Sequence, residues 1–361
     1  MPGTVTKHQK RPKVSISTSS ATIDTTMSIS RQCLRTIKSI AFGDTLLPQE
    51  FTIGLEQPQA EISLCLRTVD LSCDVTGRET TACTAPLMLC IGFHDAENPR
   101  EHGLQRAILS FCERGGQERV LGEIRLRYDT AISIGASQFI LFGVRGSTNY
   151  CLPRVRLWAH YLLHTYSQWR RNDPPDIRMT LLEQRAAAVT FIRPHPLCLV
   201  SVGDQSYGNI FTMNLMGDLG NGYFGFALRD RRIVADLVER AGRVAISGVP
   251  LAQCALAFQF TANYKKESVD WLALPFQTSP SAEFGIPVPD FATSVRELEI
   301  VKVNRVGSHR LFIARIIREG TRAPGLQACV VHGFYQFWRT KGDREKLKSS
   351  LVEDSVHKRG F

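Results

Sequence analysis

The stretch VNRVGSHRLFIARIIREG, residues 303–320, contains two runs of β-branched and aromatic residues that flank a short turn. Glycine and serine permit the backbone angles of a tight turn, so Val306-Gly307-Ser308-His309 predicts a β-hairpin. The hairpin explains Gly307 but gives no reason for a histidine at the exit of the turn. His309 is therefore either an ordinary turn residue or a side chain that the turn holds in a functional position.

A second hairpin is predicted upstream, in PLCLVSVGDQSYGNIFTMNLMG, residues 196–217. A buried-type strand ends in a polar turn, and the return strand mixes polar and apolar side chains that suit the rim and face of a flat heteroaromatic ligand. The candidate binding residues on it are Asn209, Thr212, Met213, Asn214 and Leu215. The alternative is a hairpin with a polar outer face and no ligand.

Between the two hairpins, RDRRIVADLVERAG, residues 229–242, predicts an amphipathic helix that ends at Gly242. Arg229, Arg231 and Arg232 fall where the preceding strand gives way to this helix. Cations at a helix N-terminus are unfavourable unless an anion joins them, and guanidinium groups bind phosphate well. The pattern favours a phosphate site over a solvated turn with Asp230 as the internal partner.

The first half of the chain also alternates apolar runs with turns. LMLCIGF, residues 87–93, is typical of a buried strand, and residues 123–144 predict two strands joined through Gly135-Ala136-Ser137. HGLQRAILSFCERGG, residues 102–116, places Leu104, Ile108 and Phe111 at helical spacing before a Gly-Gly pair, so we expect a helix there.

A stronger helix is predicted at residues 154–171, where Trp158, Leu162, Thr165 and Trp169 form one stripe. His160 and His164 lie four residues apart on it, a spacing that can present two imidazoles to one metal ion. No third ligand follows nearby, so two histidines on a packed helix are the favoured interpretation.

The cysteines predict no metal site and no disulfide framework. Cys65, Cys73, Cys83 and Cys90 lie close together in sequence, but no C-x-x-C pair occurs in the chain. Without an export signal, we expect reduced and mostly buried thiols and a cytoplasmic protein.

The formal net charge of +10 raises the question of nucleic-acid binding. Residues 1–50 contribute +4 (seven Lys/Arg, three Asp/Glu) and residues 339–361 contribute +3 (seven Lys/Arg, four Asp/Glu), so most of the excess lies at the ends. No nucleic-acid-binding motif is present and no apolar run spans a bilayer. We therefore expect neither nucleic acid nor membrane as the main partner.

The break NDPPD at residues 172–176 suggests a division into segments. We expect a disordered basic tail at 1–45, a smaller α+β domain of unknown role at 46–176, a barrel domain at 177–340 and a charged tail at 341–361. Many strands with a few inserted helices predict an α+β chain built around a β-barrel or sandwich.

Six motifs from about residue 178 to 338 occur in the order of one known family. They are RMTLLEQRAAAVTF, RPHPLCLVSV, GNIFTMNL, FALRDRRIVADLVERAGRVAISGVP, VGSHRLFIARII and ACVVHGFY. Together they resemble the flavin reductase-like, FMN-binding split β-barrel family, which has a Greek-key barrel. Ser308 stands where that family usually has an aspartate.

The resemblance implies a homodimer with one FMN per subunit and NADH or NADPH as co-substrate. It places Thr212, Met213, Asn214 and Leu215 along the isoalloxazine. It places Arg229, Arg231 and Arg232 at the phosphate, and His309 beside the flavin or nicotinamide as the catalytic residue.

The implied activity is hydride transfer from NAD(P)H to flavin, with electrons passing to a partner oxygenase or another acceptor. One alternative is a non-catalytic FMN-binding or electron-shuttle module. Another is a basic protein that binds a partner or nucleic acid on a barrel scaffold.

Overall fold

The computed structural model describes residues 49–94, 101–114, 119–169, 179–204 and 207–343. These residues are mostly β-structure with a few helices, and they all belong to one compact unit. The predicted N-terminal tail, the NDPPD break and residues 344–361 of the predicted C-terminal tail lie outside the described residues. The division at residue 176 stays a prediction.

The described first half is dominated by antiparallel strands. Its elements are β1 (Glu50–Leu55), β2 (Ile62–Arg67), β3 (Ser72–Asp74), β4 (Glu79–Thr84), β5 (Leu87–His94), α1 (Glu101–Leu104), β6 (Ala107–Glu113), β7 (Val120–Ile134), β8 (Ser137–Asn149) and α2 (Arg154–Trp169), with a 3-10 turn at Pro58–Ala60. Strands β2 to β8 form one seven-stranded sheet in the order β3-β2-β6-β7-β8-β5-β4.

The second half repeats this β-rich character with short helices between strands. Its elements are α3 (Leu181–Thr190), β9 (His195–Pro196), β10 (Cys198–Gly203), β11 (Gly208–Met213), β12 (Met216–Gly220), β13 (Tyr223–Arg229), α4 (Ile233–Ala241), β14 (Arg243–Gly248), α5 (Cys254–Gln259), β15 (Thr278–Pro280), β16 (Pro287–Pro289), β17 (Ser294–Val306), β18 (His309–Thr321), β19 (Gln327–His332) and α6 (Gly333–Arg339). Three 3-10 turns lie at Leu251–Gln253, Phe260–Lys265 and Trp271–Ala273.

A second seven-stranded sheet has the order β11-β10-β14-β17-β18-β13-β12. Its outermost strands, β11 and β12, are separated in the chain only by Asn214 and Leu215. That short link spans about 10 Å when fully extended, so the two edges of the sheet must meet. The sheet is therefore rolled into a barrel.

The barrel is filled by side chains from nearly every strand. Phe211, Phe226, Leu298 and Phe312 belong to one buried apolar cluster, and the rings of Phe226 and Phe312 stack with centroids 5.0 Å apart. A filled interior is typical of small barrels, in which inward-facing residues alternate with outward-facing ones.

Several local predictions are confirmed because their signals are short-range. The β17–β18 hairpin pairs Val306 with His309 around Gly307 and Ser308, and Gly307 has a φ of +54°. Helix α4 ends at Gly242 in the left-handed conformation.

The helix predicted at residues 102–116 is wrong. Only Glu101–Leu104 is helical, and Ala107–Glu113 forms β6, which pairs with β2 on one side and β7 on the other. Leu109 and Phe111 also fit the period of two that is typical of a strand. Hydrogen bonding to β2 and β7 favours the strand over the helix. The smaller α+β domain predicted at 46–176 is correspondingly richer in strands than expected.

Helix α2 is present but its predicted stripe is not packed. Trp158, Leu162 and Trp169 expose 47%, 64% and 80% of their surface, whereas Leu157 and Tyr161 face the core. The buried face therefore lies one position away from the expected one. None of the helices within the described residues is long and apolar enough to span a bilayer.

Candidate functional site

The seam of the barrel lies at the link between β11 and β12. The Leu215 carbonyl accepts a hydrogen bond from the backbone N–H of Ala227 on β13, at 3.1 Å. Asn214 and Leu215 are both half-buried. Because Arg229 lies two residues beyond Ala227 on the same strand, it emerges on the same face, close to the seam.

Pairing of β13 with β18 brings the β17–β18 hairpin to the same end of the barrel. Strands β13 and β18 are antiparallel, and their register sets Arg229 opposite His309. The Asp230 backbone N–H also donates to the Ser308 carbonyl at 3.0 Å. Three segments that are up to 94 residues apart in the sequence, at Leu215, Arg229 and His309, thus meet at one end of the barrel.

A network of charges surrounds the start of α4. The buried Arg310 guanidinium pairs with Asp230, Asp236 and Glu239 at 2.5, 2.7 and 2.7 Å. Burial alone would lower the pKa of Arg310, but the hydrogen bonds to the three carboxylates outweigh it and raise that pKa. The hydrogen bond from Arg310 lowers the pKa of Asp230, so this carboxylate stays ionised at neutral pH.

Arginines outnumber carboxylates in the two segments that meet here, residues 229–239 and 305–310. The cations are Arg229, Arg231, Arg232, Arg305 and Arg310, against the carboxylates of Asp230, Asp236 and Glu239. Five cations and three anions leave a net charge of +2 at this end of the barrel.

The N-terminus of α4 suits an anion. Arg232 is the N-cap residue and its side chain makes no capping hydrogen bond, while the Ala235 N–H donates to the Arg232 carbonyl at 3.0 Å. Arg231 is exposed and Arg232 is half-buried. Uncapped N–H groups, the positive end of the helix dipole and the guanidinium groups together form a site for phosphate.

His309 is buried rather than displayed. Only 2% of its surface is exposed, and its Nδ1 lies 2.9 Å from Ser308 Oγ and 3.5 Å from Cys83 Sγ. Burial, and secondarily the charge of Arg229, lowers the pKa of His309 to about 4. The imidazole is therefore neutral at physiological pH.

The other predicted side chains on β11 bond within the protein. The Asn209 amide donates to the carbonyls of Asn263 and Lys266, at 3.1 and 2.6 Å, and the Thr212 hydroxyl donates to the Ala257 carbonyl. Met213 is 3% exposed in the barrel core. These three side chains fix the strand, whereas Asn214 and Leu215 lie at the seam.

The first sheet covers this end of the barrel, which no motif in the sequence predicts. Cys83, Ala85 and Pro86, on and after β4, surround the turn, and a Cβ on Gly307 would come within 2.7 Å of the Pro86 ring. The Ser308 N–H donates to the Ala85 carbonyl at 3.3 Å. Such a contact joins residues more than 200 positions apart, and no local pattern encodes it.

Strand β4 is also tied to the second half by a buried ion pair. Arg193 lies 2.9 Å from Glu79, and their side chains are 3% and 0% exposed. Burial raises the pKa of Glu79, with the charge of Arg193 opposing the shift. Nearby, a Cβ on Gly217 would lie 2.3 Å from the Glu79 carbonyl, so glycine permits this close approach of β12 to β4.

The first histidine of the pair on α2 has a packing contact. His160 packs on Phe334, with ring centroids 5.1 Å apart, and burial lowers its pKa to about 4. Within the described ranges, no group of three or more His, Cys, Asp or Glu side chains is arranged to hold a metal ion. The cysteines of these ranges are all free thiols.

The chain was compared with known proteins at three levels. No protein-family model matches it. No curated protein matches its sequence. Solved structures of flavin reductases and FMN-binding split-barrel proteins match about 40% of the chain.

Three of these structures illustrate the range. The flavin reductase component of a bacterial two-component tryptophan halogenase is 15% identical over 41% of this chain and 92% of its own, with a TM-score of 0.37. A Streptomyces globisporus NADH:FAD oxidoreductase is 19% identical over 45% and 96%, with a TM-score of 0.37. An FMN-binding protein from Thermus thermophilus is 22% identical over 37% and 80%, with a TM-score of 0.31. No activity follows for this chain from similarities at this level.

Proposed function

We propose that this chain is an FMN-binding oxidoreductase of the flavin reductase type, built on a split β-barrel. The observation that supports this most strongly is the meeting of Leu215, Arg229 and His309 at one end of the barrel, beside an uncapped helix N-terminus. These are the three segments from which the sequence predicts a flavin site. The proposal rests on the geometry of this end of the barrel.

The residues present fit FMN because one group of them can bind its phosphate and another group can contact its ring. Arg231 and Arg232 hold the phosphate at the start of α4, where the net charge is positive. Asn214 and Leu215 face the ring at the seam, and the backbone there offers hydrogen-bond groups to its polar rim. Asn209, Thr212 and Met213 keep β11 in place through their internal contacts.

The protein orients the cofactor and shields it from water. FMN, when bound, supplies the hydride and electron chemistry, with NADH or NADPH as the donor. Arg229 contributes positive charge next to the ring site, and His309 supports Arg229 from the opposite strand as a neutral positioning residue. We further propose a homodimer, with an oxygenase or another electron acceptor as the downstream partner.

A second candidate function is a non-catalytic FMN-binding or electron-shuttle module. The burial of His309 supports it, since a neutral imidazole with 2% exposure offers no proton donor to the surface. The two candidates share the binding site and differ only in whether a nicotinamide reaches it.

Purified full-length protein distinguishes the candidates. We expect FMN binding by fluorescence titration and FMN-dependent oxidation of NADH or NADPH in air, followed at 340 nm. Tight FMN binding with no oxidation of either nucleotide would support the module instead. Absence of FMN binding would contradict both.

A further inference from the structure

A cleft of about 700 Å³ lies away from the proposed flavin site, between α6 and the first sheet. It is bounded by the end of β6, the start of β7 and the C-terminal turn of α6. A volume of this size is within the range of pockets that bind small organic ligands.

One wall of the cleft is aromatic. Tyr335, Phe337 and Trp338 line it, and the rings of Tyr335 and Trp338 are nearly parallel, at 18°, with centroids 6.1 Å apart. The Arg119 guanidinium lies 6.0 Å from the centre of the Trp338 ring, at the outer limit of a cation–π contact. Flat rings and guanidinium groups are surfaces on which a heteroaromatic ring stacks.

The rim of the cleft is cationic. Arg114, Arg119, Arg339 and Lys341 line it, and only Arg339 is firmly neutralised, by Glu61 at 2.8 Å. The Tyr335 hydroxyl also donates to Glu61, at 2.8 Å, so that carboxylate is fully engaged.

The remaining rim charges still favour an anion. Arg114 pairs with Asp74 at a long 3.6 Å, and among the described residues neither Arg119 nor Lys341 forms an ion pair. Glu113 is the one opposing carboxylate of the lining that has no ion pair within the same residues. With these pairs set aside, two lining cations, Arg119 and Lys341, face one lining carboxylate, Glu113, beside the aromatic wall.

Lys341 is held at this rim in an unfavourable conformation. Its φ is +53°, in the left-handed region that favours glycine. The next residue, Gly342, is also left-handed, with a φ of +73°. The turn is fixed by hydrogen bonds from the N–H of Lys341 to the Trp338 carbonyl and from Gly342 to Phe337, both 2.9 Å. Glycine in place of Lys341 would relieve the strain and at the same time remove an exposed cation from the rim.

We infer that this cleft binds a small anion that carries a flat ring, with the chemistry of a nucleoside monophosphate. The ring stacks on the aromatic wall of Phe337 and Trp338, and the phosphate meets Arg119 and Lys341 at the rim. This site shares no residue with the proposed flavin site, so either one can fail without the other.

Isothermal titration calorimetry of the full-length protein with AMP tests the inference, with adenosine and inorganic phosphate as separate ligands. We expect AMP to bind more tightly than either fragment, because both halves of the cleft are then used. Arg119→Ala and Lys341→Gly should each weaken AMP by at least tenfold and leave adenosine nearly unchanged. Trp338→Leu should weaken both AMP and adenosine.

Lys341→Gly provides its own folding control. It should raise the midpoint of thermal unfolding while it weakens AMP, since it removes both the strain and the charge. Lys302→Ala, at an exposed lysine on β17, and Arg127→Ala, at an exposed arginine on β7, should leave AMP binding unchanged. No measurable AMP binding, or equal affinity in the wild type, Arg119→Ala and Lys341→Gly, would overturn the inference.

Discussion

His309 was a candidate catalytic residue in the sequence, and its burial changes the role that it can have. The hairpin places it opposite Arg229, but Cys83 and the turn after β4 cover it, and its lowered pKa keeps it neutral. A residue of this kind acts by holding its neighbours rather than by exchanging protons with a ligand. In the proposed reductase, such a residue would contribute by positioning its neighbours.

His309→Ala should leave FMN bound and slow its reduction by NAD(P)H. Loss of the ring frees Arg229 and its strand from their support, and a small displacement near the ring site costs about tenfold or more in rate. Stopped-flow reduction and an FMN titration measure the two effects separately. Ser308→Ala, which removes only the hydroxyl 2.9 Å from Nδ1, is the milder companion variant. Unchanged reduction in His309→Ala would make the histidine an ordinary turn residue.

At the scale of elements, the buried pair between Glu79 and Arg193 connects β4 to the segment that leads into β10. Removing one member of a buried pair leaves the other charge uncompensated, which is more costly than removing both. The pair also lies beside Gly217, where β12 comes too close to β4 for any side chain.

Glu79→Leu should therefore lower the free energy of unfolding by about 3–5 kcal/mol. The double variant Glu79→Leu/Arg193→Met should recover much of this loss, because no unpaired charge is then buried. Urea unfolding followed by circular dichroism gives both values. If the double variant were as unstable as the sum of the two single variants, the pairing would not be the reason for the loss.

Comparing the predicted elements with the observed ones shows which kinds of prediction the sequence can support. Gly307 and Gly242 predicted a turn and a helix end correctly, because each signal acts within four residues. The helix prediction for residues 102–116 was wrong because the apolar spacing fits both a helix and a strand. Pairing with β2 and β7 makes residues 107–113 a strand.

Some features of the candidate site could likewise be predicted from the sequence, and others could not. The polar and basic residues near the seam and α4 could be identified from local composition. The engagement of Asn209 and Thr212 with the turn at Phe260–Lys265 and with α5 could not, and neither could the burial of His309. These contacts depend on where distant segments pack, which a single sequence does not encode locally.

For the molecule as a whole, buried histidines link stability to pH. Burial is the main cause that lowers the pKa values of His160 and His309 to about 4 and those of His195 and His332 to about 3. The unfolded chain, with histidine pKa values near 6.5, binds more protons between pH 6.5 and 4. Stability therefore falls as the pH drops through that window.

His332→Asn should reduce this dependence. The Phe334 N–H donates to His332 Nδ1 at 3.1 Å, and an asparagine oxygen can accept the same capping bond without titrating. Between pH 7 and pH 5 the variant should lose about 2 kcal/mol less unfolding free energy than the wild type. Urea unfolding at both pH values measures the difference, and equal losses would show that His332 does not contribute.

The central claim is that the start of α4 receives the phosphate of FMN, and riboflavin provides the most direct comparison because it lacks only that group. We expect calorimetric titration to show that Arg231→Ala and Arg232→Ala weaken FMN by about 1.5–3 kcal/mol, the range for a charge-assisted hydrogen bond, and riboflavin hardly at all. Arg127→Ala, at an exposed arginine of the first sheet, should change neither ligand. Equal loss of affinity for FMN and riboflavin, or no loss for FMN, would contradict the account.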